Sequence, residues 1–195
     1  MGRIIGLDLG IETHGLAVVN DGIIEYACNC DSDRLWHILT DFMLRGVEAI
    51  VIEDLAAYTG RLTPQVIDTA KFIGMAVYRI QCGYSGKVAL VKRSSVKKWV
   101  FETYHSIIYP LCQIKADKGA NKRAAKNGDS SVTYKTASFI YVDDRMVQIA
   151  MIEHYGIPKP KPGDGYEYGL REHSWQALAV ATVWQKKSRI SMQDF

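Results

Sequence analysis

The sequence has little of what marks a membrane, secreted or fibrous protein. No apolar run approaches the roughly 18–20 residues needed to cross a bilayer, and no charged-then-apolar leader opens the chain. Proline is scarce, at five of 195 residues, and no internal repeat is visible. The few cysteines form no CxxC pair and no zinc pattern, so we expect free or buried thiols in a reducing cytosol. They are Cys28, Cys30, Cys82 and Cys112.

The composition is that of an ordinary globular protein. Hydrophobic residues make up 48% of the chain and charged residues 23%, which excludes a collagen-like, mucin-like or broadly disordered protein. At roughly 100–200 residues per domain, the length predicts a single domain over residues 1–195. We expect this domain to carry a basic insertion at about residues 105–140.

The positive charge is concentrated in one part of the chain. Residues 87–126 contain ten basic and two acidic residues, a net charge of +8 in a chain whose total is +3, so the remainder carries −5. Such a block favours contact with a polyanion, because neutralising phosphates releases counterions. A solvated lysine-rich face is the alternative. Residues 115–135 lack apolar periodicity, and we expect them to form a mobile basic segment.

The hydrophobic pattern predicts the element order β-β-β-α-β-α-β-α-insertion-α-α. Three strands joined by tight turns open the chain, since Asn20-Asp21-Gly22 is typical of a hairpin. Alternating helices and strands follow, and together they predict a mixed five-stranded α/β sheet with helices on both faces, the ribonuclease H-like arrangement. The predicted helix N-caps are Thr63, Ser94 or Ser95, and Asp143 or Asp144.

Two acidic residues stand where predicted strands end. Asp8 closes the first strand and Glu53 the fourth, and the carboxyl ends of neighbouring parallel strands meet at one edge of a sheet. Two adjacent carboxylates repel each other unless one is protonated or a cation bridges them, and Mg²⁺ prefers such oxygen ligands. A pair of metal ions there would suit phosphodiester hydrolysis. The alternative is two unrelated, solvated acids.

The last predicted helix begins with further polar residues. Glu172, His173 and Gln176 occupy its first turn, and His173 and Gln176 share one face because they are three residues apart. A helix docked across the sheet could direct that face at Asp8 and Glu53. We therefore include all three as candidate catalytic residues, although a histidine at a helix start is more often a surface or structural group.

Five blocks of the sequence occur in the order and spacing of RuvC-type Holliday-junction resolvases. They are RIIGLDLGIETHGLAVV, AIVIEDL, VKRSSVKKWV, DRMVQIAMIEHYGIPKPKP and HSWQALAVATVW. The chain thus resembles a divergent member of that family. The resemblance implies a homodimeric endonuclease that resolves four-way or other branched DNA by paired nicks. It also implies Mg²⁺, with Mn²⁺ as a substitute and two ions as the expected number, held by Asp8, Glu53 and His173.

Two positions depart from the resembled family. Gln176 stands where a final acid is expected, and Glu172, Asp143 or Asp144 are the candidates to replace it. Where the family places an aromatic residue that probes DNA, shortly after the second acid, this chain has Ala56, and Tyr58 is the nearest substitute.

The resemblance also gives roles to basic residues and to one helix. A helix start with neighbouring lysines can bind a backbone phosphate, and the predicted helix over 63–82, which contains Ala70 and Gly74, corresponds to the family's subunit-pairing element. The candidate DNA-binding residues are Tyr58, Lys92, Arg93, Ser95, Lys97, Lys98, Lys118, Lys122 and Arg123.

Three other functions remain open at this stage. The Leu7–Gly10 segment also resembles the first phosphate loop of actin-like kinases and ATPases, but 195 residues are too few for their two domains. Other ribonuclease H-like nucleases, including the YqgF type, would act on RNA or simple duplexes. Gln176 would also fit a non-catalytic relative that binds junctions. Whichever holds, we expect the cytoplasm as the location, near the nucleoid or, for a viral protein, in the host.

Overall fold

The structure is a computed structural model that describes residues 2–55, 63–127, 136–158, 160 and 165–193. Within these ranges the side chains of residues 119–127, 167 and 189–193 are left undescribed. No helix among these residues is long and apolar enough to span a membrane.

Five strands form one mixed sheet in the order β3-β2-β1-β4-β5. Strands β1, β2 and β3 pair antiparallel, whereas β4 lies parallel to β1 and β5 parallel to β4. This confirms the predicted fold class. The strands are β1 (Arg3–Leu9), β2 (His14–Asn20), β3 (Ile23–Cys30), β4 (Ala49–Asp54) and β5 (Lys87–Lys92).

Among the described residues six helices accompany the sheet, together with 3-10 turns at Phe139–Tyr141 and Glu167–Gly169. The predicted caps at Thr63 and Asp143 are confirmed, because their side chains accept hydrogen bonds from the backbone N–H groups of Val66 and Met146. The helices are α1 (Ser32–Leu44), α2 (Pro64–Gly83), α3 (Arg93–Thr103), α4 (His105–Asn127), α5 (Asp144–Tyr155) and α6 (Glu172–Gln193).

Helices cover both faces of the sheet, as predicted. Alternate residues of β1 point to opposite faces: Ile5 packs with the buried residues of α1 and α2, whereas Ile4 packs with those of α3, α4, α5 and α6. Asp8 and Glu53 lie on the face of the sheet that α6 covers. The described cysteines are all free thiols, three of them buried and Cys82 exposed.

Two glycines let α6 lie directly on the sheet. A Cβ atom at Gly6 would come within 2.0 Å of the Ala177 carbonyl oxygen, and one at Gly15 within 2.2 Å of the His173 carbonyl oxygen. Residues 174–183 of α6 are accordingly all buried. Since Gly15 pairs with Asp8 across β1 and β2, this close approach brings the start of α6 to the end of β1.

The start of α3 differs from the prediction. The N-cap is Lys92, which makes no side-chain capping hydrogen bond, and Ser94 and Ser95 lie inside the first turn. The prediction of a serine cap was wrong because β5 passes directly into α3 without an intervening loop. Arg93, rather than a serine, is therefore the first helical residue.

The segment predicted to be mobile is largely helical in the part that the structure describes. Helix α4 continues to Asn127, and its residues Ile108, Cys112 and Ala116 are buried at helical spacing. The apolar stripe was missed because two of its members are small, and because lysine and alanine favour helices even without strong periodicity. Residues 128–135 lie outside the described part.

The apolar pattern of α2 predicts a buried face made of Val66, Ala70, Ile73, Val77 and Ile80. In the structure Ile73 and Ile80 are buried together with Ala76, whereas Ala70 is exposed. A Cβ atom at Gly74 would meet nothing within 4 Å, so this glycine does not pack on the sheet.

We expect Gly6→Ala to destabilise the protein strongly, because the added methyl group meets a backbone oxygen that can move only if α6 moves. Overpacking of this kind costs about 3 kcal/mol or more, roughly 10 °C in melting temperature for a chain of this size. Gly83→Ala is the matched control, because a Cβ there meets nothing within 4 Å. Thermal unfolding followed by circular dichroism measures both. Equal melting temperatures would contradict the tight packing of α6.

Candidate active site

Asp8 and Glu53 lie side by side at one edge of the sheet. Strands β1 and β4 are parallel neighbours in which Leu7 pairs with Ile52, so the next residue on each strand is one of the two acids. Both are almost fully buried, with 9% of Asp8 and 6% of Glu53 exposed. The structure thus brings together the two carboxylates that the sequence pattern paired.

His173 joins this pair from the start of α6. Its Nδ1 atom lies 2.8 Å from Asp8 Oδ2, and this hydrogen bond is the main reason that the pKa of His173 is raised above its ordinary value. The next residue fixes the helix start, because the Ser174 backbone N–H donates to the Asn29 side-chain oxygen at 2.9 Å. With Nδ1 engaged, Nε2 is the ring nitrogen left for other contacts.

Arg93 lies within the acidic group rather than on an outer surface. Its Nη1 is 3.2 Å from Glu53 Oε2, and its Nη2 donates to Asp144 Oδ1. The arginine follows the last residue of β5, Lys92, which pairs with Asp54 on β4. Asp144 begins α5. Three elements therefore converge on one ion-pair network.

The pKa of Glu53 is raised to about 8, and the largest cause is its burial away from water. The Arg93 charge lowers this pKa, whereas the neighbouring Asp8 raises it. A protonated Glu53 can donate to the Asp8 carboxylate, which relieves the repulsion between the two acids.

Several polar atoms at the site have no hydrogen-bond partner among the described residues. They include Glu53 Oε1, Arg93 Nε and Gln176 Nε2, all buried. Asp8, Glu53 and Arg93 also line a cavity of about 60 Å³ at the strand ends, which is space for a few water molecules. The unpartnered oxygen of Glu53 and the neighbouring carboxylate of Asp8 together are suitable ligands for a hard cation.

The three candidates for the missing acid occupy different places. Asp144 is tied to Glu53 through Arg93. Asp143 is occupied elsewhere, since it caps α5 and its Oδ2 lies 2.8 Å from Lys115 Nζ. Glu172 is exposed at the start of α6, whereas Gln176 is buried. Of the three acids, Asp144 is the one that the described contacts connect to Glu53.

Of the predicted metal ligands, Asp8 lies beside both Glu53 and His173. Among the residues that the structure describes, however, no group of three or more His, Cys, Asp or Glu side chains is arranged to hold a metal ion. The donor set thus fits a cation bound by Asp8 and Glu53, with its other positions left to water or substrate.

The candidate DNA-binding residues divide into an inner and an outer group. Arg93 and the half-buried Lys97 lie near the acids, and burial, then the Arg93 charge, lowers the pKa of Lys97. Lys98 is exposed with its Nζ 3.7 Å from Glu102. Lys92 and Lys118 are also exposed, Ser95 is half-buried, Lys122 and Arg123 fall on α4, and Tyr58 lies outside the described residues.

Sequence reasoning missed that Arg93 contacts the acidic pair. The signal that could have identified it is its position, because it follows the last residue of a strand parallel to β4. Carboxyl ends of parallel neighbours meet at one edge, so the residue after β5 belongs to the same edge as Glu53.

The raised pKa of Glu53 predicts a pH-dependent effect of Glu53→Gln on stability. In the unfolded chain this carboxyl has its ordinary pKa of 4.5, whereas in the folded protein its pKa is about 8. The folded state therefore holds more protons between these values, and stability falls as the pH rises through them. Glutamine removes this loss, so without divalent ions the variant should gain several degrees over the wild type between about pH 5 and about pH 9.

Melting curves in the presence of a chelator measure the difference. Asp41→Asn on the exposed surface of α1 controls for the removal of a carboxyl group in general. A constant difference between Glu53→Gln and the wild type across this range would contradict the raised pKa.

No protein-family model and no curated protein sequence matches the chain. Among solved structures, it is similar to Thermus thermophilus RuvC in complex with a Holliday junction substrate, with a TM-score of 0.57 and 15% identity over 98% of this chain and 97% of that one. Another T. thermophilus RuvC structure gives a TM-score of 0.48 and 16% identity over 97% and 96% of the two chains. The yeast mitochondrial Holliday junction resolvase Ydc2 gives 0.44 and 10% over 94% and 78%.

The first of these similarities establishes the fold. It covers nearly the whole of both chains, and the five-stranded mixed sheet agrees with it. The RuvC resemblance seen in the sequence is therefore confirmed at the level of the fold: the chain has the ribonuclease H-like fold of this RuvC structure, at 15% sequence identity.

Proposed function

We propose that this chain is a metal-dependent endonuclease that resolves four-way or other branched DNA by paired phosphodiester nicks. The observation that carries the proposal is the pair of buried carboxylates, Asp8 and Glu53, with His173 hydrogen-bonded to Asp8. Two carboxylates without a shared role would lie at the surface, because burying them side by side costs solvation free energy. The fold similarity to a RuvC bound to a Holliday junction substrate supports the choice of DNA.

Asp8 and Glu53 would hold Mg²⁺, or Mn²⁺ in its place. The unpartnered Glu53 Oε1 and the small cavity beside it support this assignment. When bound, the ion would polarise the phosphate and lower the pKa of a bound water molecule. The positive charge would also favour the ionised form of Glu53, whose pKa is otherwise raised by burial.

His173 would accept or donate a proton at its Nε2 atom. Asp8 orients the imidazole through Nδ1 and raises its pKa, which favours the positively charged form of the ring near a phosphate. The His173 side chain is 42% exposed, which leaves it accessible to a substrate. A histidine placed in this way can act as a general acid or base for the attacking or leaving oxygen.

The outer lysines would bind the DNA backbone. Lys92, Lys98 and Lys118 are exposed and belong to the strongly basic stretch 87–126. Contacts of this kind position a duplex without reading its sequence. Lys97, half-buried beside Arg93, would meet a phosphate closer to the acidic pair.

A homodimer would present two such sites to the two strands of a junction. Helix α2 offers a surface for it, because several exposed residues lie on one side of the helix. Ile67 is 41% exposed, Met75 62% and Tyr78 71%. Gly74 lies among them with open space above it, which permits close approach of a second helix.

A non-catalytic junction-binding protein is the second candidate. Gln176 stands where the resembled family has an acid, and Arg93 already neutralises part of the charge on Glu53. Both features weaken the attraction for metal ions. A cleavage assay that also measures binding separates the two candidates.

With Mg²⁺ and labelled four-way junctions, we expect the wild type to make symmetric nicks. Asp8→Asn and Glu53→Gln should each lower the rate at least about 100-fold, since even outer partners of a metal site cost 10–100-fold. Removal of the divalent ion with a chelator should abolish cutting. Asp41→Asn, which removes an exposed acid from α1, is the control and should cut like the wild type.

The other outcomes identify other functions. Tight junction binding without nicks in either Mg²⁺ or Mn²⁺ would establish the non-catalytic protein. Equal cutting of linear duplex or of RNA would instead favour a nuclease without selectivity for junctions.

Tyr78→Glu should weaken dimer formation through α2. Association would bury a carboxylate from each subunit, and we expect the dissociation constant to rise at least about tenfold. Sedimentation equilibrium measures this change. Leu44→Glu on α1 is the matched control, because Leu44 is 84% exposed but lies outside the α2 surface. A dimer that tolerates Tyr78→Glu, or a monomeric wild type, would overturn the role of α2.

A further inference from the structure

We infer that the Arg93 guanidinium takes the place of a second metal ion, so that one divalent cation completes the site. The inference rests on the proposed metal-dependent function and changes its expected number of ions from two to one. It concerns a residue that the sequence pattern assigned to DNA binding. Its basis is the position of Arg93, the way the fold holds it there, and the charge of the surrounding side chains.

The guanidinium bridges the inner and outer parts of the acidic group. It lies 3.2 Å from the Oε2 atom of Glu53, which is 6% exposed, and it donates on its other side to Asp144, which is 66% exposed. A metal ion shared between two carboxylates would occupy a similar place. Only 24% of the Arg93 side chain is exposed, so the cation is built into the site rather than attached to its surface.

The backbone fixes this position. Strand β5 is hydrogen-bonded in parallel to β4, with Val91 opposite Glu53 and Lys92 opposite Asp54. Arg93 follows at once as the first residue of α3, with no loop between strand and helix. A side chain attached there reaches Glu53 without a change in the fold, so its charge is present whether or not an ion is bound.

The charge count then favours a single ion. Asp8, Glu53 and Asp144 carry three negative charges when ionised, Arg93 carries one positive charge, and His173 adds a second when it is protonated. Gln176 adds none, although the resembled family has an acid at this place. The remaining charge, −2 or −1, is balanced most nearly by one divalent cation. Two such ions would leave a net charge of +2 or more around the buried Asp8 and Glu53, and uncompensated buried charge is costly.

The unpartnered atoms indicate where that ion would lie. Glu53 has two carboxylate oxygens, of which Oε2 contacts Arg93 and Oε1 has no hydrogen-bond partner among the described residues. The cavity of about 60 Å³ is lined by Asp8, Glu53 and Arg93. One ion beside Oε1 and Asp8 would leave the contact between Arg93 and Oε2 in place.

Counting bound Mn²⁺ by electron paramagnetic resonance tests the inference without DNA or cleavage. We expect one ion per chain in the wild type, and none in Asp8→Asn, which loses a ligand. Arg93→Gln vacates the place between Glu53 Oε2 and Asp144, where a second ion can then bind, and should raise the number to two. Arg93→Lys keeps the charge and should bind one. Arg45→Gln, which removes an arginine from an exposed ion pair with Asp41 on α1, should also bind one.

Two ions in the wild type, or one in a folded Arg93→Gln variant, would overturn the inference. A second measurement covers the case in which Arg93→Gln does not fold, as judged by circular dichroism. The side-chain Nε–H resonance of Arg93, identified by its loss in Arg93→Lys, should keep its position when Mg²⁺ saturates the protein, because Nε is buried. Movement to the position of a free arginine would show that the ion displaces Arg93.

The result is independent of the cleavage assay. A wild type that binds one ion but makes no nicks would contradict the proposed nuclease and leave the role of Arg93 intact. A wild type that binds two ions and cuts junctions would do the opposite.

Discussion

The burial of two carboxylates side by side is the constraint on which the rest of the structure depends. Asp8 and Glu53 lie one residue before the ends of adjacent parallel strands and are almost inaccessible to water. Each loses solvation and each repels the other, which favours protonation of one of them. Two contacts offset this cost: His173 is hydrogen-bonded to Asp8, and Arg93 is hydrogen-bonded to Glu53. A protein without use for concentrated negative charge would gain stability from apolar residues at these positions.

The compensating groups reach the acids because regular elements end there, and no long loop has to be ordered for the purpose. Gly6 and Gly15 allow α6 to rest on the sheet backbone, which fixes the height of His173 above Asp8. The direct passage from β5 into α3 fixes Arg93 in the same way. Sites built on strands and helix starts hold their geometry more closely than sites on loops. The same rigidity would serve a reaction that needs a phosphate held in line with its nucleophile.

The electrostatics of the site differ from those of the basic surface around it. In the site, the Arg93 guanidinium is paired with the carboxylates of Glu53 and Asp144. On the surface, Lys92 at the end of β5 and Lys118 on α4 are exposed. Outer charges can attract DNA at a distance and lose this effect at high salt, since solvent screens them. Inner charges are shielded from salt and decide which ions and protons the site holds. In the proposed metal site, Gln176 at the place of an acid and the presence of Arg93 would both shift that inner balance toward fewer metal ions.

The sequence by itself determined the strands, most of the helices, the pairing of Asp8 with Glu53 and the RuvC resemblance. These follow from local periodicity, from caps such as Thr63 and Asp143, and from the rule that parallel strands end at one edge. Helix α4 escaped prediction because two members of its buried stripe, Cys112 and Ala116, are small. Only the tertiary structure decided that Arg93 pairs with Glu53 and that Asp144 rather than Asp143 joins the network. The physical reason is that a charged side chain has several possible partners along the chain. Its choice depends on distances of a few ångströms and on burial, which arise only when strands, helices and glycine contacts are packed together.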